Sequence, residues 1–204
     1  MTPLDISGRH ARKGFTYQDH VAVGLCITML NSSTLKEIWL ETHDDIMLFW
    51  EDKGQTTVEF VQVKAINQLS RWSVSSICGS GNMSDSIVKK LMDQDRCTEA
   101  TLFRIVSSYD VNQELSVLKM AIKSTERNAA ATKEVELSDE IKKKLGDLKS
   151  PNGKTIAEWV KLCWWDKKAD NEQDLVSSNK IALEVALNSD RKSTRLNSSH
   201  LVIS

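Results

Sequence analysis

An α/β fold is predicted, with a central mixed sheet of about four strands flanked by helices. Three observations predict it. Residues 36–65 hold three closely spaced runs rich in β-branched and aromatic residues, a strand signature. A fourth, mostly apolar run, Ala100 to Ser107, reads as a central strand. Segments with helical apolar spacing separate and follow these runs, the pattern of helices packed on a sheet.

The elements follow in order. Residues 1–15 are polar and carry Gly8 and Gly14; the first helix is expected after Thr16, an N-cap residue, and runs to Leu30. Its apolar face is Val21, Val23, Leu25, Cys26 and Met29, and Asn31-Ser32-Ser33-Thr34 ends it. Strands are expected at 36–42, 45–51 and 56–65, with Asp52-Lys53-Gly54-Gln55 as a hairpin turn. A loop and short helix fill 68–78, Gly79-Ser80-Gly81-Asn82 breaks the chain, and Ser84 or Asp85 caps a helix over 85–95. After the 100–107 strand a helix is expected over 112–124. From 125 on the chain reads as helical additions: 138–145 ended by Gly146, a turn at Pro151-Asn152-Gly153, then 156–165 and 171–187.

Composition excludes several classes. The chain has 204 residues, 40% hydrophobic and 27% charged, which is ordinary for a globular protein, and its net charge of −1 supplies no global field for nucleic acid. Arg9, His10, Arg12 and Lys13 form a local basic cluster. Cys26, Cys78, Cys97 and Cys163 fit no zinc spacing and read as reduced thiols. The N-terminus has no signal-peptide core and no apolar run reaches membrane-span length, so a cytoplasmic protein is expected.

The chemistry lies on the second and third strands. In Thr57-Val58-Glu59-Phe60-Val61-Gln62-Val63-Lys64, Gln62 and Lys64 share one face and Val61 and Val63 the other. Glu59 has the opposite parity to Gln62 and stays outside the candidate set. Asp44 and Asp45 stand at the start of the second strand; adjacent strand residues face opposite ways, so only one reaches the site, and Glu41 shares the parity of Asp45. An acid and an amide oxygen can hold Mg²⁺, a hard cation that takes oxygen ligands. A lysine beside them can position water and offset phosphate charge.

Asp45…Gln62-x-Lys64 resembles the PD-(D/E)xK nuclease signature in its Gln-x-Lys form. With Gly14-Phe15-Thr16-Tyr17-Gln18-Asp19-His20 and Glu41-x-x-Asp44-Asp45, residues 8 to 110 resemble the N-terminal endonuclease domain of bacterial CBASS antiphage effectors. Those effectors carry a C-terminal SAVED domain that senses a cyclic oligonucleotide. The resemblance implies a restriction-endonuclease-like core and cleavage of double-stranded DNA with low sequence preference. It implies Mg²⁺ (or Mn²⁺) held by Asp45, Gln62 and the Val63 carbonyl. Lys64 would be catalytic, Glu41 a helper acid, and Gln18 and Asp44 support. The family's activation by a second messenger implies homo-oligomer formation. Gln62 stands where the family pattern usually has an acid, which removes one negative charge from the site. Two rival readings remain: an inactive nuclease-like DNA-binding or assembly module, and a helical interaction module with a chance Gln-x-Lys match.

Asp190 to Ser204 resembles a translated sequencing-library adapter. The expected organisation is therefore a nuclease domain over 1–188, with its core at about 8–125 and a helical extension at about 126–188. A non-native disordered tail over 189–204 would follow, and the sensor domain would be missing by truncation.

Overall fold

The computed structural model describes the backbone of residues 6–40, 45–64, 71–79 and 83–199, and the side chains of 15–40, 46–64, 71–79 and 84–188. Five strands form one sheet in the order β1 (Leu35–Leu40), β2 (Asp45–Asp52), β3 (Gln55–Lys64), β4 (Ala100–Ser107) and β5 (Cys163–Lys167). The first three are antiparallel neighbours, whereas β3–β4 and β4–β5 are parallel.

The β2–β3 hairpin closes through Lys53 and Gly54, both at positive φ (50° and 77°). Two central residues at positive φ match the twist of the flanking strands, and glycine takes the second without strain. The connection therefore fixes the register that faces Asp45 with Gln62.

Two apolar clusters cover the two sheet faces. The larger packs Val58, Phe60, Phe103, Ile105, Cys163 and Trp165 beneath α2 (Val74–Ile77), α3 (Ile87–Asp93), α5 (Ala131–Leu145) and α6 (Ile156–Leu162). The second joins Ile46, Leu48, Val61, Val63 and Val106 to Tyr17, Val21, Ala22 and Leu25 of α1 (Ile6–Asn31) and Leu175 of α7 (Glu172–Ser199). Ile46, Leu48, Val61, Val106 and Ile105 are fully or almost fully buried, each worth about 1.5–3 kcal/mol of transfer free energy. Asn179 on α7 donates to the His20 carbonyl at 2.8 Å, and its Oδ1 lies 2.9 Å from where a Cβ on Gly24 would sit. A Cβ at position 24 would therefore displace the Asn179 side chain.

The expected strands agree with β1–β4 to within two residues, but the sheet has five strands rather than about four. β5 lies inside the stretch expected as one helix over 156–165. That helix stops at Leu162, and Cys163 has extended dihedrals (φ −101°, ψ 141°). The chain beyond 125 thus contributes a strand to the sheet as well as helices. α1 begins at Ile6, eleven residues before the expected start; Gly8 and Gly14 lie within it, each at a helix cost of about 1 kcal/mol. The helix expected over 112–124 is a 3-10 segment, Gln113–Lys119, and the cap before α3 is Ser86 rather than Ser84 or Asp85. Thr125–Ala129 forms α4, and α5 starts at Ala131 and ends at Gly146, at φ 70°. The tail expected as disordered from 189 is helical to Ser199, because extending a formed helix costs little. Residues 200–204 lie outside the described residues.

Among the described residues no helix is long and apolar enough to cross a membrane. The four cysteines are unpaired; Cys78 and Cys163 are buried. Burial pushes the Cys78 thiol up to about 11, against a smaller opposing pull from Lys144.

Candidate functional site

The alternation along β3 sets the site. Val58 and Phe60 go into the larger cluster and Val61 and Val63 into the second. Gln62 and Lys64 carry the parity of Phe60. Gln62 is fully buried and Lys64, at the strand end, is half-buried. A buried amide beside a half-buried lysine suits a polar pocket at the carboxyl end of a strand, where open α/β sheets place ligand sites.

The register assembles neighbours around these two residues. Asp45 lies directly opposite Gln62 in the antiparallel β2–β3 ladder. Opposed Cα atoms in such a ladder are about 4.5–5.5 Å apart. Gln62 neighbours Ile105 on β4, and Lys64 neighbours Ser107, which in turn neighbours Lys167 on β5. The described β2–β3 ladder ends at the Asp45–Gln62 pair, whereas the ladder to β4 continues through Val63 and Lys64. Val63 is thus the first β3 residue past that last pair.

Ser107 is an anchored neighbour. Its hydroxyl donates to the Tyr109 carbonyl at 2.6 Å and accepts from the Trp165 indole N–H at 2.9 Å. These bonds tie the ends of β4 and β5 together beside Lys64.

The opposite face carries a buried ionic cluster that the sequence reading did not contain. Glu59 receives Nε of Arg104 at 2.8 Å and its Nη2 at 2.6 Å. The indole N–H groups of Trp50 and Trp164 donate to the same carboxylate at 2.9 and 2.7 Å. Arg104 also lies 4.3 Å from the centre of the Trp164 ring, and its Nη1 is 3.7 Å from Asp166. Four donors satisfy one carboxylate, so these charges are buried without an unpaired partner. The signal was present in the sequence: Arg104 breaks the apolar β4 run, and a buried arginine needs an acid. Glu59 is the acid, on the face opposite Gln62, as its parity required. The cluster joins β2, β3, β4 and β5 and steadies the strand that carries Gln62 and Lys64.

The other candidates fall as follows. Glu41 and Asp44 lie outside the described residues, as does the side chain of Asp45. Gln18 is half-buried on α1, a helix that packs on the Val61 and Val63 side of the sheet. Phe15 is exposed. Tyr17 is buried and donates to the Ala169 carbonyl at 3.1 Å. Burial, then the carboxylates of Asp166 and Asp170, push its hydroxyl pKa up. Trp165 is a core residue, and Trp164 is half-buried in the ionic cluster. Lys142 pairs with Asp147 at 2.7 Å on the exposed side of α5.

Among the described residues no group of three or more His, Cys, Asp or Glu side chains could hold a metal ion. The set expected to bind metal is of a different kind: a carboxylate at Asp45, an amide oxygen at Gln62 and a backbone carbonyl at Val63. All three are hard oxygen donors on adjoining register positions, and they fit Mg²⁺ or Mn²⁺ by ligand chemistry.

Comparison with known proteins supplies the context for this site. The family model described as "Cap4, dsDNA endonuclease domain" matches residues 6–196. Anti-bacteriophage protein A of Escherichia coli (strain K12) is 27% identical over 176 residues, covering 81% of this chain and 31% of the relative. The chain thus spans about a third of that relative's length. Among solved structures, an Acinetobacter baumannii Cap4 SAVED/CARF-domain containing receptor with a cyclic trinucleotide superposes with a TM-score of 0.54 at 16% identity. The alignment covers 86% of this chain and 36% of that one. The Moraxella osloensis Cap4 receptor gives 0.52 at 15% identity, over 87% and 38% of the two chains. At such identities the two structures establish a shared fold. By the match across nearly its whole length, the chain belongs to the Cap4 double-stranded-DNA endonuclease domain family.

Proposed function

We propose that this domain hydrolyses phosphodiester bonds in double-stranded DNA in a divalent-metal-dependent reaction, as the nuclease part of a longer antiphage protein. The observation that carries the reading is the register: Asp45 faces Gln62 across β2 and β3, and Lys64 follows on the same edge of β3. The family match supports double-stranded DNA as the substrate class. A cytoplasmic site of action goes with that role.

Each residue has a chemical task. Asp45, Gln62 and the Val63 carbonyl would hold Mg²⁺ or Mn²⁺, with Glu41 and Asp44 as the nearby acids of the same sequence segment. The bound ion would supply charge stabilisation at the scissile phosphate. Lys64 orients the attacking water and offsets the charge that develops on the phosphoryl oxygens. Gln62 brings no charge, so this site has one anionic ligand fewer than an Asp- or Glu-containing version and depends more strongly on metal concentration. Gln18 sits on α1, behind the sheet on the Val61 and Val63 side, and would support the site only from behind, through β3. Association into a homo-oligomer, and control by a cyclic oligonucleotide through a separate sensor domain, complete the proposed scheme. The A. baumannii receptor is the relative whose structure holds a cyclic trinucleotide.

The test is a cleavage assay on plasmid and linear duplex with Mg²⁺, Mn²⁺ or chelator. The reading predicts duplex cleavage with either metal and none with chelator. Cleavage that persists in chelator would contradict it.

A further inference from the structure

We infer that Lys167 is a second phosphate contact for the duplex, set beside Lys64 and held by Asp170 until DNA binds. The inference rests on the nuclease reading above.

The placement follows from three parallel strands. Lys64, Ser107 and Lys167 occupy consecutive positions across β3, β4 and β5. Lys167 has the parity of Trp165, whose indole N–H reaches Ser107, so it shares the sheet face of Ser107 and of Lys64. Neighbouring strands are about 4.8 Å apart, which puts the two lysine Cα atoms about 10 Å from each other. At that separation two long lysine side chains can reach neighbouring phosphates of one DNA strand. Both lysines stand at the carboxyl ends of parallel strands, on the sheet edge where the candidate site lies.

The condition of Lys167 fits a contact in waiting. Its side chain is exposed, and its ammonium pairs with the exposed Asp170 at 2.7 Å across an i,i+3 spacing. An exposed pair of this kind holds its partners weakly and yields to a phosphate. Lys168, the next residue, is committed elsewhere: its N–H donates to the Ser107 carbonyl and its ammonium pairs with Asp166 at 3.1 Å. The end of β5 therefore offers Lys167 to the site face, while Lys168 just beyond it is fastened.

The test uses the full chain in a Lys64→Ala background, so that labelled duplex is bound without being cut. Anisotropy titrations over a range of salt concentrations give affinity and salt slope. Lys167→Gln should weaken binding about three- to tenfold, equally for unrelated sequences, and flatten the slope of log K against log salt by about 0.9. Asp170→Asn should tighten binding by freeing the ammonium. Lys180→Gln makes the same charge change on α7, which packs on the other face of the sheet, and should alter neither quantity. An unchanged slope in Lys167→Gln, or equal losses in Lys167→Gln and Lys180→Gln, would overturn the inference and leave the nuclease reading intact. Failure of the parent protein to bind any duplex would overturn both.

Discussion

Glu59 and Gln62 lie three residues apart on β3 and serve opposite faces of the sheet: Glu59 is locked to Arg104 by two hydrogen bonds of 2.8 and 2.6 Å, and Gln62 faces Asp45 in the register. One strand thus carries its stabilising charge on one side and its candidate chemistry on the other. The arrangement lets each be changed separately.

Arg104→Met should destabilise the fold by about 3–5 kcal/mol, because it leaves the Glu59 carboxylate buried with only two indole donors. Chemical denaturation measures it. The double variant Glu59→Met/Arg104→Met should recover part of the loss, since no buried charge is then left alone. A loss below about 1 kcal/mol in the single variant would show that the pair does not hold the strands.

Asp95 gives the pH dependence. It is buried; burial raises its pKa, but hydrogen bonds from Ser150, Lys154 and Thr101 and the Lys154 charge outweigh that and hold the carboxyl below its ordinary range. These bonds fasten the start of β4 to the turn at 150–154. A depressed folded-state pKa means stability that is fully present above the unfolded value of about 3.9 and is lost as pH falls through the folded one. Asp95→Asn should therefore be less stable than wild type at neutral pH, with the gap closing below about pH 4. A gap constant across that range would contradict the assignment.

Gln62→Glu tests the metal. A carboxylate at this buried position is costly unless a cation compensates it. The variant should melt below wild type in chelator and regain more than wild type on adding Mg²⁺. Half-maximal cleavage should shift to lower Mg²⁺. If Mg²⁺ moves the melting point of the variant no more than that of wild type, Gln62 is not a ligand.

Much of this architecture is legible in the sequence, for local reasons. Period-two alternation from Thr57 to Lys64 sets which side chains share a face, and Lys53-Gly54 sets the register. β5 is not legible. Cys163-Trp164-Trp165 continues the apolar spacing of Trp159 and Val160, and short apolar runs do not separate helix from strand by period. Its strand state comes from pairing with β4, about sixty residues earlier in the chain. The Lys64–Ser107–Lys167 row depends on that pairing and could not be read beforehand. The early start of α1 was hidden by Gly8 and Gly14, which read as punctuation yet lie within the helix.

Lys64→Ala is the most direct measurement. The residue ends a strand and is half-buried, so its truncation should leave the fold and the melting temperature intact. Single-turnover cleavage of duplex DNA at saturating Mg²⁺ should fall by about 10²–10³, the usual cost of removing one preorganised charge-stabilising group. Duplex affinity should fall far less. Cleavage by Lys64→Ala at the wild-type rate would contradict the assignment of the active site to the end of β3.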